Sequence, residues 1–399
     1  MKPWQFLVCI IMVLLGFSIV TVYNTDVTTF HSTGTSYQFI KHLTWILVSV
    51  ASMIIMTTID YHHLQKLSIP ILIVSTILLL LVLIPGIGTV TNGARRWIRF
   101  NQSFGLQPSE FAKLAIIIFL SSYISKNYSR MSELKRGFII PLAITAGVCA
   151  LILKEPDLGT SSFIAILSVI LLITGGTRIA FVFLPAIVSV PLFYKIVLAV
   201  PYRKDRIMAF LDPWKDPSGT GYHIIQSLIA FGSGGLTGLG IGESKQKLLF
   251  LPECSTDFIF TIIGEELGFI GVIGIIALFA LLIWQGLKVS HKAKDLFGFL
   301  LGTGITLMFG LQALINIAVV AGKAPTKGMP LPFVSAGGSS LLFSMIGIGI
   351  LISIARQSEK SEAADLNTDN VNYIDDSRSS LFPVRFFSKI TAKIASFCW

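Results

Sequence analysis

The sequence predicts an all-α polytopic membrane protein of about ten transmembrane helices, with a large extracytoplasmic loop between the seventh and the eighth. Three observations carry that prediction. Of 399 residues, 53% are apolar and only 13% are charged, against roughly a quarter charged in soluble domains. The mean hydropathy is +0.77. Apolar runs of roughly 17 to 25 residues, enough to cross about 30 Å of hydrocarbon, recur along most of the chain. The net charge of +10 does not point to nucleic acid, because such a binder needs its basic residues on a solvated surface. A phosphate-bearing partner at a membrane surface fits better. Cys9, Cys149, Cys254 and Cys398 lie far apart, without metal-ligand or disulfide-framework spacing.

The ten runs lie near 5–23, 42–59, 67–84, 109–125, 137–153, 159–175, 179–198, 263–284, 297–320 and 337–355. The first follows Lys2 but no small-x-small cleavage site follows it, so it reads as a retained helix. An even number of spans puts both termini on one side. With both in the cytoplasm, twelve basic residues fall inside, including Lys126, Arg130, Lys135, Arg136, Lys288 and Lys292, against seven on short outer loops. That is the expected inner excess. The outer seven are Lys41, Arg95, Arg96, Arg99, Lys154, Lys323 and Lys327.

The membrane domain therefore covers residues 1–355, with 199–262 as its large outer loop. Loops this long are usually functional. Residues 356–399 form a cytoplasmic tail. Its polar part, Ser358 to Ser380, is expected to be disordered. From Leu381, Arg385, Lys389 and Lys393 recur four apart beside Phe386, Ile390 and Ile394, the pattern of a short interfacial amphipathic helix. No internal repeat of the transporter kind is visible.

The unusual polar residues gather on the outer face. Arg95, Arg96 and Arg99 flank Trp97; guanidinium forks there can hold phosphate oxygens, or serve as interfacial anchors. Ser109 reads as a helix N-cap, Glu110 as a first-turn carboxylate and Lys113 as its neighbour one turn deeper. A charge inside a span costs at least about 2.5 kcal/mol, so Lys113 must meet a partner or a wet cavity. Asp157 stands beside another helix start, as a cap or a site residue. Lys323 and Lys327 precede a run of small residues that ends in Ser339 and Ser340, which allows close backbone approach. The glycines of 232–242 match no nucleotide-binding spacing. Asp257 sits where a polar loop re-enters the membrane before an apolar helix. Desolvation there raises a carboxylate's pKa and suits a general base toward a hydroxyl, with an N-cap as the competing role. Glu265 and Glu266 have no proton assigned by their spacing and read as packing-network residues.

Taken together, Asn92–Ile98 (NGARRWI), Gln107–Leu114 (QPSEFAKL), Pro156–Thr160 (PDLGT), Asp216–Tyr222 (DPSGTGY), Leu251–Phe260 (LPECSTDFIF), Gly264–Gly268 (GEELG) and Pro330–Ser340 (PLPFVSAGGSS) resemble the SEDS family of shape, elongation, division and sporulation proteins over nearly all of 1–355. The D-P-W at 212–214 and P-T-K-G at 325–328 lean toward the division branch, and G-Y-H-I-I-Q-S at 221–227 toward the elongation branch. Cys254-Ser255, Glu155 and Ala336 stand where the family often has Ala-His, Gln and Tyr.

The resemblance implies a peptidoglycan glycosyltransferase that polymerises lipid II in the bacterial plasma membrane, at the septum for the division branch. It implies Asp257 as the catalytic carboxylate, with Arg95, Arg96, Glu110, Lys113, Asp157, Lys323, Lys327, Ser339 and Ser340 as substrate-binding residues. It also implies a class B penicillin-binding protein and other division proteins as partners, and no organic cofactor. The departing pyrophosphate would be neutralised by Arg96, Lys113 or a divalent cation, Mg²⁺ or Mn²⁺. The rival classes are a lipid flippase or transporter, which would want the same intramembrane charges, and a non-catalytic scaffold.

Overall fold

The structure, a computed structural model, describes residues 2–33, 37–91, 93–99, 104–183, 201–248 and 250–369; the side chains of 27–33, Tyr37, 201–204 and 360–369 also lie outside the description. The chain divides into two units, Met1–Gln357 and Ser358–Trp399, and the bundle and the site belong to the first. The described helices are α1 (Pro3–Thr33), α2 (Tyr37–Thr58), α3 (His62–Lys66), α4 (Ser68–Leu83), α5 (Pro108–Lys126), α6 (Ile140–Lys154), α7 (Leu158–Thr174), α8 (Pro201–Leu211), α9 (Tyr222–Gly234), α10 (Ile259–His291), α11 (Leu296–Val320) and α12 (Gly338–Asp369).

Nine of the ten apolar runs fall on these helices. Among the described residues, six stretches are long and apolar enough to cross a membrane: Pro3–Asp26, Gln38–Thr58, Lys135–Lys154, Ile259–His291, Leu296–Val320 and Gly338–Glu359. α4 and α7 are apolar but shorter, and α5 carries Glu110, Lys113 and Lys126. The tenth run, 179–198, lies mostly outside the described residues. The outward sides of α2, α4 and α10 expose large apolar residues such as Leu47, Ile73, Phe269 and Trp284. Helices apolar all round need an apolar solvent on the side that faces no protein.

α11 is the central post. It packs on α5, α7, α9 and α10, and Phe297, Leu300, Leu301, Ile305 and Phe309 are almost fully buried. α10 and α11 approach closely because small residues meet: a Cβ on Gly286 would collide with Thr306, and one on Gly302 with Ser290. Lipid tails are as apolar as the side chains, so such close fit, rather than hydrophobic burial, holds adjacent spans together.

Four features differ from the sequence reading. First, the chain is not purely helical. Gly88–Thr91 (β1), Ala94–Arg99 (β2) and Gly105–Leu106 (β3) form an antiparallel sheet in the order β1-β2-β3. Thr91 pairs with Ala94 across two residues, the length of a tight hairpin, and Gly93 has φ 75° as such turns demand. Second, the segment 199–262 is built rather than open, since it holds α8, α9 and a short 3₁₀ turn at Pro213–Lys215. Third, α12 continues to Asp369 through a polar stretch expected to be disordered; Glu, Lys and Ala are good helix formers, and elongating an existing helix avoids the nucleation cost. The amphipathic stretch from Leu381 lies outside the described residues. Fourth, Gln107 rather than Ser109 is the N-cap residue of α5, with Pro108 in the first turn; proline's fixed φ suits that position. Ser109 is left fully buried.

The glycine-rich segment after α9 has a structural purpose. α10 is broken at Gly268, whose φ of 64° and ψ of −160° interrupt the helical ladder. The backbone groups freed by the break are taken up by the loop. Leu239 N–H donates to Glu265 O (3.0 Å) and Gly240 N–H to Glu266 O (3.0 Å), while Phe269 N–H donates to Gly235 O (2.9 Å). A kink in apolar surroundings survives only when its polar groups find such partners. Gly238 and Gly268 must lack side chains because the two backbones touch there.

The carboxylates at the kink add bolts. Glu265 accepts from Ser244 Oγ, from Lys245 N–H (3.1 Å) and from Gln246 N–H (3.3 Å). Glu266 pairs with Lys247 Nζ at 3.3 Å and accepts from Asn24 Nδ2 at 3.2 Å. Lys247 and Glu266 are both buried. Removing one partner of such a pair leaves a desolvated charge, so Glu266→Ala is expected to destabilise the fold by about 3 to 5 kcal/mol. Thermal unfolding in detergent beside Lys247→Met/Glu266→Leu, which removes both charges and should recover most of the loss, checks this.

Candidate functional site

Asp257 lies in a tight turn immediately before α10. Its backbone N–H donates to Glu253 O at 3.2 Å, and Glu253 adopts φ 57°, a left-handed conformation uncommon outside glycine. The turn is clamped from several sides. Asn316 Nδ2, on α11, donates to Asp257 O (2.9 Å) and to Met329 O (2.8 Å). Ala336 N–H donates to Ser255 O at 2.9 Å, and Ser335 Oγ donates to Thr256 O. α10 takes Phe258 as its N-cap residue, without a side-chain cap bond. Asp257 therefore does not cap the helix, and its carboxylate accepts no hydrogen bond among the described residues.

Four charged groups act on that carboxylate. Burial pushes Asp257 up to about 7, with Glu253 and Asp157 raising it further and Arg206 and Arg96 opposing. Gly328 passes close by: a Cβ there would sit 3.1 Å from Asp257 Oδ2. The strap carrying Gly328 is tied down on both sides. Arg206 Nη1, on α8, donates to Thr326 O at 3.1 Å, and Lys327 Nζ donates to Ser162 Oγ, on α7, at 3.3 Å. Burial lowers the Lys327 pKa, which Asp157 opposes. His223, on α9, stacks on Phe258 with ring centroids 5.6 Å apart, and burial followed by Arg206 lowers its pKa.

Arg96 reaches the site from β2. Its Nε donates to Glu155 O (3.2 Å) and its Nη2 to Pro156 O (2.7 Å), while Nη1 stands 3.9 Å from Asp157 Oδ2. Asp157 caps α7, accepting from Thr160 N–H and from Thr160 Oγ1, both at 3.0 Å. The cap and the site role are thus the same residue. An aspartate held by two donors at a helix start is fixed in place and can steer a guanidinium.

The sequence-predicted residues separate into two groups. Asp257, Arg96, Asp157 and Lys327 converge. The others do not. Arg95 turns back to donate to Leu83 O at 3.3 Å, because alternate residues of a strand point to opposite faces. Lys113 lies in the bundle, 4% exposed. It pairs with Glu110 at 2.9 Å and donates to Gln312 Oε1 at 2.9 Å. Gln312 Nε2 in turn donates to Pro330 O at 2.9 Å, so this ladder braces the loop beneath Asp257. The Lys113 ammonium is thus enclosed by protein groups. Ser339 Oγ accepts from Gln107 N–H at 3.3 Å and is fully buried, joining α5 to α12. Ser340 is buried. Lys323 is exposed after α11 and is not among the charges that act on Asp257.

Sequence reasoning missed Arg206, Glu155, Glu253, His223 and Asn316. An arginine in the long segment between apolar runs carries no local signal. Asn316, a lone amide inside an apolar run, did carry one, since a buried amide needs partners. Among the described residues no three His, Cys, Asp or Glu side chains converge as a metal site.

A face with one desolvated carboxylate, two guanidinium groups and an ammonium suits proton abstraction next to an anionic leaving group. Comparison with known proteins agrees. The family described as "Cell cycle protein", spanning FtsW, RodA and SpoVE, matches residues 5–360. The chain is 43% identical over 353 residues, 88% of its length and 92% of the relative's, to a probable peptidoglycan glycosyltransferase FtsW of Trichlorobacter lovleyi. It is 41% identical to the stage V sporulation protein E of Bacillus subtilis, over 90% of this chain and 98% of that one. A structure solved in a study of polymerisation and crosslinking by a peptidoglycan synthase complex superposes with a TM-score of 0.72 at 26% identity, covering 88% and 97% of the two chains. The Thermus thermophilus rod shape determining protein RodA shares the fold, with a TM-score of 0.63 at 22% identity over 90% and 97%.

Proposed function

Because the chain belongs to the FtsW, RodA and SpoVE family of cell cycle proteins, we propose that it is a peptidoglycan glycosyltransferase that polymerises lipid II into β-1,4 glycan strands, with Asp257 as general base. The observation that carries the reading is a carboxylate raised to about 7, unbonded and beside two arginines. The acceptor is the 4-hydroxyl of one lipid-linked disaccharide; the donor is the α-linked anomeric carbon of another. Asp257 takes the hydroxyl proton as the oxygen attacks. The new C–O bond forms as the bond to the polyprenyl pyrophosphate breaks, and the configuration inverts. The leaving group keeps its electron pair as an anion, stabilised by Arg96 and Arg206, so no general acid is required.

We infer that this face is extracytoplasmic. Helix ends on the opposite side carry Lys126, Arg130, Lys135, Arg136, Lys288, Lys292 and Lys294, the excess expected of the cytoplasmic side. The protein sits in the bacterial plasma membrane, at the septum if it serves division, as the FtsW relatives suggest. A class B penicillin-binding protein is the expected partner, in keeping with the synthase-complex neighbour. Midcell enrichment of a fluorescent fusion supports the division role, and a dispersed lateral pattern the elongation role.

The test is reconstitution of purified protein, with a class B penicillin-binding protein, on lipid-linked disaccharide pentapeptide. Glycan polymer is expected. Translocation of the lipid without polymer would replace the reading with a flippase. A base that must be ionised makes the rate rise with pH, reaching half its plateau near the Asp257 value of about 7. Stability runs the other way. A carboxyl raised in the native state above its ordinary value of about 4 holds its proton more tightly folded than unfolded. Its contribution is therefore present below that ordinary value and is lost as pH rises through about 7. Asp257→Asn should remove both dependences.

A further inference from the structure

Glu155 is the anomaly of the site. It is fully buried, and neither carboxylate oxygen has a hydrogen-bond partner among the described residues. It sits in the turn between α6 and α7, where its own carbonyl and that of Pro156 hold the Arg96 guanidinium at 3.2 and 2.7 Å. The charged groups acting on it are Asp157, from the same turn, and Arg96, from β2. We propose that Glu155 is a positioning residue that works as a neutral carboxylic acid, leaving Arg96 to face Asp157 and the substrate, and that its ionisation withdraws Arg96 from the leaving group.

The physical argument is one of competition. An anionic carboxylate buried without donors is very unfavourable, and the nearest charge able to relieve it is the Arg96 guanidinium. Neutral Glu155 makes no such claim, so Arg96 remains bonded to the turn carbonyls with Nη1 toward Asp157. Burial first, then Asp157, push Glu155 up to about 8, against the opposing effect of Arg96. The group is therefore neutral near neutrality and ionises in mildly alkaline solution. An alkaline limb follows, separate from the acid limb that belongs to Asp257.

The proposal rests on the glycosyltransferase reading, and the full-length protein in proteoliposomes with lipid II tests it by two readouts. In polymerisation, the wild type should fall about fivefold between neutrality and one pH unit above the Glu155 value, the roughly tenfold loss of neutral Glu155 being partly offset by the roughly twofold gain as Asp257 finishes ionising. Glu155→Gln should keep its neutral activity and lose that fall. In thermal unfolding, which needs no activity, the wild type should lose stability as pH rises through about 8 and Glu155→Gln should not. An alkaline limb unchanged in Glu155→Gln, or a folded Glu155→Gln that is inactive at neutrality, overturns the proposal. So does an unfolding profile that the substitution leaves unaltered. If the wild type makes no polymer at any pH while the unfolding difference is present, it is the glycosyltransferase reading that has failed.

Discussion

Asp257→Asn is expected to lower polymerisation by about 10² to 10⁴-fold, equivalent to roughly 3 to 5 kcal/mol of transition-state stabilisation, in a protein that folds as the wild type does. The amide matches the carboxylate in shape but cannot accept the hydroxyl proton. The contacts that hold the turn survive, because Asn316 donates to the backbone oxygen of residue 257 and not to its side chain. Loss of the partly buried charge should even ease folding, since desolvation already disfavours it. Polymer yield from purified protein, read beside the melting curve, is the measurement. A variant that folds and retains a tenth or more of the wild-type rate would remove Asp257 from the chemistry. One that melts far below the wild type would instead assign the residue to the scaffold.

Lys113→Ala is expected to destabilise the protein by about 3 to 5 kcal/mol, through structure rather than through substrate. The ammonium lies between Glu110 (2.9 Å) and Gln312 (2.9 Å) and over the Phe163 ring at 5.5 Å. Its removal strands the Glu110 carboxylate in the bundle and frees Gln312, which holds the loop at Pro330. The double variant Glu110→Gln/Lys113→Met keeps the volume and removes both charges, and it should fold nearly as well as the wild type. Unfolding temperatures of the wild type, single and double variants decide the matter. A direct pyrophosphate contact predicts the reverse pattern: a stable Lys113→Ala with a raised KM for lipid II, and a double variant with no better activity. Equal melting temperatures for the wild type and Lys113→Ala would refute the structural role.

The difference between these residues shows what could be read early. Asp257 and Lys113 are both charges at or inside an apolar boundary, and hydropathy marks both as costly. Asp257 precedes its helix by two residues, and whether it caps that helix depends on side-chain geometry. Lys113 is sequence neighbour to Glu110, but its second partner, Gln312, is 199 residues away. Arg95 and Arg96 are adjacent and chemically identical. Only the strand they share sends one to Leu83 and the other to the turn at Glu155 and Pro156. Glu265 and Glu266, to which spacing assigns no proton, find their partners in the loop at 244–247.

By itself the sequence determined the helical membrane architecture and the family, because hydropathy is summed over neighbouring residues and short ordered motifs are local. Solvation by lipid acts on each run wherever it lies in the bundle. The tertiary structure alone decided which charges meet: that Arg206 joins Arg96 near Asp257, that Lys113 is bound inside the bundle, and that Glu155 is buried with no donor among the described residues. Hydrogen bonds need donor and acceptor within about 3.5 Å, and the energy between charges scales inversely with their separation; those distances are set by contacts between segments far apart along the chain.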